Sequence, residues 1–149
     1  MNKITVQGVD NKLIWDRFVD KGCPHILLYR FNPNYVMEWW QTSVRLKNGA
    51  VLKDILVNDM SFDAKINLSM LQEILENTVY YLSLYQFKKD ISPKLTMNLP
   101  EEQKHSILKQ NGLEHIIEIN HDITTIYSYQ DDHLEKIRRD PEIADYIIP

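Results

Sequence analysis

Four of the five histidines, His105, His115, His121 and His133, fall in the last third of the chain beside Asp122, Asp131, Asp132 and Glu135. Imidazole and carboxylate together are the donors of a zinc site, or the acid and base of a hydrolase. Their spacing favours neither. No pair shows the H-x-x-x-H or H-x-H interval that sets two rings on one ion from a single element. His115 and His121 would stand about 20 Å apart along an extended strand. Cys23-Pro24-His25 puts a thiol near an imidazole in sequence. A nucleophilic cysteine, however, needs that ring in hydrogen-bond reach and a lowered pKa. Cys23 instead follows the C-terminal end of an expected helix, where the dipole raises the pKa.

The paired carboxylates Glu101-Glu102 and Asp131-Asp132 sit where helices are expected to begin, which capping and the helix dipole explain without catalysis. Lys136-Ile137-Arg138-Arg139, with Lys94, Lys104 and Lys109, has the charge to meet phosphate, yet it equally suits the negative end of a helix. G-x-G-x-x-G, P-loop, G-x-S-x-G and H-E-x-x-H patterns are all missing from the sequence. The sequence therefore points to no catalytic residue, no metal ligand and no cofactor.

Aromatic residues are the stronger signal. Asn48-Gly49 lies between two runs of β-branched and aromatic residues, a hairpin pattern in which both turn residues tolerate positive φ. The implied register sorts residues 35–57 onto two faces. Val36, Trp40, Val44, Leu46, Val51, Ile55 and Val57 form an apolar face suited to the core. Tyr35, Met37, Trp39 and Arg45 share the amphipathic one. Tyr127 and Tyr129 alternate in the same way along the last expected strand. Tyr, Trp, Met and Arg are enriched at interface centres because they bury much area at modest entropy cost. These six residues are the candidate binding positions. A helix lying over the hairpin would instead make Trp39 part of the core.

Lys3 to Gln7 reads as a short strand. Asp10 caps a helix from about Asn11 to Lys21, closed by Gly22 and Pro24. His25 to Phe31 follows as a nearly continuous apolar strand, and Asn32-Pro33-Asn34 turns the chain into the hairpin. After it, Leu68, Leu71, Leu75, Val79 and Leu82 recur at helical intervals and predict one helix to about Phe87. Thr78 to Leu82 pull toward strand by residue type. Lys94 to Asn98 suits a short strand. Pro100 opens a helix that Asn111-Gly112 closes. Glu114 to Ile119 and Ile123 to Tyr129 alternate as a second hairpin. Asp131 or Asp132 caps a helix to Arg139, and Asp140-Pro141 restarts one. Strands joined by tight turns cannot be parallel. The expected architecture is an α+β single domain over residues 1–149, with a mixed or mainly antiparallel sheet built on two hairpins and helices packed on it.

The 149 residues carry a net charge of −4, which argues against broad nucleic-acid binding. One cysteine permits no internal disulfide. With no apolar run of membrane length and no apolar stretch at the N-terminus, the chain is expected to be cytoplasmic and off the membrane. By composition and exclusion, the expected function is a non-catalytic protein-binding module. A stoichiometric inhibitor of the immunity or phage anti-defence type, with a protein partner or as a homodimer, would suit. A small anionic ligand or nucleotide held by aromatic stacking and Arg30, Arg45, Arg138 or Arg139 is the second expectation. A hydrolase using the C-terminal histidines and aspartates is the third.

Overall fold

The computed structural model describes residues 1–29, 64–76, 81–92 and 100–149. The Asn48-Gly49 hairpin, with Tyr35, Met37, Trp39 and Arg45 on it, lies outside those residues, as does the strand expected over Lys94 to Asn98. Among the described residues six strands form one antiparallel sheet. They are β1 (Asn2–Gln7), β2 (His25–Tyr29), β3 (Ala64–Ile66), β4 (Tyr81–Phe87), β5 (Leu113–Asn120) and β6 (Ile123–Ser128). Their spatial order is β1-β6-β5-β4-β2-β3. Helices α1 (Asn11–Leu13), α2 (Leu68–Glu76), α3 (Glu101–Gln110) and α4 (Asp131–Arg139) pack around it, giving an α+β fold. None of them is long and apolar enough to cross a membrane.

The pleat divides the core in two. On one face Ile4, Ile26, Leu84, Ile117 and Ile126 meet Phe18, Leu71, Ile74, Leu134 and Ile137 from the turn after α1, α2 and α4. On the other, Leu27, Tyr85, Phe87 and Ile116 meet Leu108 of α3. Each of these fully buried Leu, Ile and Phe side chains stabilises the fold by roughly 1.5–3 kcal/mol relative to exposure.

The second hairpin forms as its alternation implies. Asn120 pairs with Ile123 across a two-residue turn, and His121 takes the positive φ of 54°. Gly112, at φ 95°, ends α3 and lets the chain enter β5 directly.

Three local expectations are corrected. The helix predicted to run from Leu68 to Phe87 does not reach that far: it spans Leu68–Glu76 among the described residues, and Tyr81–Phe87 is strand β4, paired with β2 on one side and β5 on the other. A central strand covered on both faces carries apolar residues at nearly every position, so Leu82 happened to continue the helical interval of Leu71 and Leu75. The helix expected to reach Lys21 is shorter. Asp10 caps α1 through Leu13 N–H at 2.9 Å. After Leu13 the chain makes a π-helical turn over Ile14–Phe18 with Val19 N–H donating to Ile14 O at 3.1 Å, and Val19 is already extended. Gly22 does not end it. An Asp20 turn does, with Gly22 N–H on Asp20 Oδ1 at 2.8 Å. Finally, Gln130 rather than an aspartate stands at the N-cap of α4, with no side-chain cap bond. Asp131 instead accepts from Asn2 Nδ2 at 2.7 Å.

The free side of β1 is closed by the C-terminal residues. Ile147 bridges Val6, and Ile148 N–H donates to Thr5 O at 2.9 Å.

Candidate functional site

The π-helical turn delivers Asp20 to one end of the central strands β4 and β5, where Gln86 and His115 meet it. Gln86 of β4 is fully buried and holds the loop in place. Its Oε1 accepts from Asp20 N–H at 3.1 Å. Its Nε2 donates to Asp20 O at 2.8 Å and to Cys23 O at 3.1 Å. A register shift at Gln86/Phe87 in the β4–β5 ladder accompanies this position. The loop backbone is thus pinned by a single amide.

His115 shares the face of β5 that carries Ile117 and Ile119, and it has no exposed surface. Its Nε2 lies 2.8 Å from Asp20 Oδ2 and its Nδ1 2.8 Å from Ser128 Oγ on β6. Cys23 Sγ donates to the same Asp20 Oδ2 at 3.5 Å. Donor atoms of Asp20, Cys23 and His115 all lie within 4.8 Å of one another. His133 of α4 leans over His115, ring centroids 4.5 Å apart, and bonds Phe18 O through Nε2 at 2.8 Å. Asp20 and His133 also line a recess of about 250 Å³ together with Lys21, Lys136, Arg17 and Asp140.

The electrostatics follow from burial. Burial holds the His115 pKa below the ordinary histidine value despite the opposing Asp20 carboxylate, and the neighbouring His133 lowers it further. His115 is therefore neutral near pH 7. Burial alone would raise Asp20, but hydrogen bonds from His115 and Gly22 N–H outweigh it and hold the carboxyl below its usual range. Burial, then the Asp20 charge, push the Cys23 thiol up to about 12, so it is no nucleophile as it stands.

Ser128, His115 and Asp20 line up in the order of a hydrolase triad, but the arrangement cannot act as one. Ser128 is buried, and its Oγ also accepts from Gln130 N–H at 2.8 Å and lies 3.2 Å from Gln130 O. A nucleophile must reach a substrate carbonyl. This hydroxyl is buried between His115 and its own turn.

The other expected residues are dispersed. His121 lies at the hairpin tip with Nε2 2.8 Å from Tyr81 Oη, and His105 is exposed on α3 near the Tyr85 ring. His25 stands 3.8 Å from Asp90, so it does not serve Cys23. Arg138 and Arg139 fold back onto Glu135. Tyr127 and Tyr129 are half-buried beside the core under α3, with Lys109 Nζ 4.6 Å from the Tyr129 ring centre. A larger recess, about 520 Å³, opens between α1 and α2 around Trp15, Asp10, Asp16 and Glu76. It holds no histidine or cysteine, and Lys21 Nζ already lies over the Trp15 ring at 4.3 Å.

Sequence reasoning missed Asp20 and Gln86 altogether. One signal was available: a histidine at the core-facing position of an alternating strand, which must find partners from elsewhere in the chain. No model of a known protein family, no curated protein and no solved structure matches the chain.

Proposed function

We propose that the chain is a non-catalytic protein-binding domain that meets its partner through the α3 side of the sheet, at Tyr127 and Tyr129. The observation that supports this is a contrast between two groups of side chains. In the described constellation best suited to catalysis, His115 and Ser128 are buried, with both ring nitrogens and the hydroxyl engaged within the fold. On the opposite face, α3 covers Phe87, Leu113 and Ile116 but leaves Tyr127 and Tyr129 half-exposed and Ile123 at 39% exposure along β6. Tyrosines held against a packed core lose little entropy when a second surface covers them, which makes them efficient anchors. A stoichiometric inhibitor, its partner another protein or a second copy of the chain, is the form of this activity that fits the residues. Tyr35, Met37, Trp39 and Arg45, which lie outside the described residues, are the remaining candidate binding positions.

Affinity measurements on partners captured by the immobilised chain test the reading. Tyr127→Ala and Tyr129→Ala should each weaken binding at least tenfold, about 1.4 kcal/mol or more. Sedimentation of the same proteins reads self-association. Affinity unchanged in the double variant, with self-association unchanged too, would remove this face from the function.

A further inference from the structure

We propose that Asp20, Cys23 and His115 form a binding site for one divalent ion of the zinc class. This site lies on the opposite side of the sheet from the tyrosines and does not depend on them. Asp20 Oδ2 collects two hydrogens, one from Cys23 Sγ and one from His115 Nε2. A single dication can replace both. Imidazole, thiolate and carboxylate together suit zinc or cobalt, and a thiolate in the set disfavours magnesium or calcium.

The dimensions fit. Zinc bond lengths of about 2.0–2.3 Å in a tetrahedron set a nitrogen and an oxygen ligand about 3.4 Å apart, and a sulfur and an oxygen about 3.6 Å apart. The Cys23–Asp20 separation is already 3.5 Å. The His115–Asp20 separation of 2.8 Å must open by about half an ångström, which a rotation of the Asp20 carboxylate supplies. Gln86 holds the backbone of both Asp20 and Cys23, so the adjustment falls to their side chains.

The second observation is the hydroxyl of Ser128. It lies 2.8 Å from His115 Nδ1 and 3.2 Å from Gln130 O, so it has a partner for either tautomer of the ring. Without an ion, His115 Nε2–H donates to Asp20 and Ser128 Oγ–H donates to Nδ1. With an ion on Nε2, the ring proton sits on Nδ1 and donates to Ser128 Oγ, whose own proton turns to Gln130 O. Metal-bound histidines usually have an acceptor behind them in this way. The proton count closes: imidazole keeps one proton throughout, the thiol loses one, and one proton is released per ion bound. His133 Nε2 is committed to Phe18 O. The fourth position is therefore left to water or to a donor entering the 250 Å³ recess that Asp20 shares.

Chelator-treated full-length chain is titrated with Co²⁺, then Zn²⁺, in weak buffer. One Co²⁺ should bind per chain, with a thiolate-to-cobalt charge-transfer band, about one proton released, and displacement by Zn²⁺. Cys23→Ser should abolish the band and weaken Zn²⁺ binding at least 100-fold, and Ser128→Ala should weaken it roughly 10–100-fold. His105→Ala should change nothing. Near-ultraviolet circular dichroism checks that the variants fold, and if Cys23→Ser does not, the band and proton count of the unmodified chain decide. No band, or binding that survives Cys23→Ser, would overturn the site and assign the ion to exposed histidines.

Discussion

His115 is withdrawn from water on both ring nitrogens, and its charge state is set by that withdrawal. The unfolded chain takes up a proton at the ordinary value of 6.5, whereas the folded chain does so only at lower pH. The group's contribution to stability is therefore complete above about pH 6.5 and is lost as pH falls toward the depressed folded value, by up to about 1.4 kcal/mol per pH unit. Urea unfolding of chelator-treated protein between pH 7.5 and 5 should show the midpoint falling over that window. His115→Gln, if it folds, should flatten the fall; an equal fall in that variant would assign it to other groups. At this scale the sequence was legible only in part. The alternation of β5 marks His115 as core-facing, but Asp20 lies 95 residues away and no local spacing announces it.

Elements explain both what could be read in advance and what could not. The β5–β6 hairpin was legible because its alternation and its turn agree, two levels of the same signal. β4 was not, because a strand with neighbours on both sides and cover on both faces loses the period of two that distinguishes it from a helix. The π-helical turn had no signature at all; it follows from where Phe18 and Val19 must pack, both being buried. The six binding positions divide likewise. Tyr127 on β6 and Tyr129 just past its end pack against the same cluster, and the other four lie outside the described residues. The join between β4 and the Asp20 loop can be tested directly. Gln86→Leu keeps the volume but strips partners from Asp20 N–H, Asp20 O and Cys23 O. It should cost about 2–4 kcal/mol, read as a lowered urea midpoint with an unchanged slope. A loss below about 1 kcal/mol would mean that water substitutes freely there.

The whole molecule is organised by a sheet whose first strand is paired late. β1 joins β6, not β2, so its six residues wait on a partner more than a hundred positions away. The C-terminal residues then lie on its other side. Removing Ile147–Pro149 uncovers backbone donors and acceptors along β1, a template for another chain. The shortened protein should self-associate at concentrations where the full chain does not, measured by light scattering. Equal scattering would show that the tail adds nothing to edge protection. The same arrangement governs how the fold comes apart. Fraying ordinarily begins independently at the two ends of a polypeptide. Here the first strand is held between β6 and the last residues, so loosening either terminus strips hydrogen bonds from the other, and the two ends open as one event.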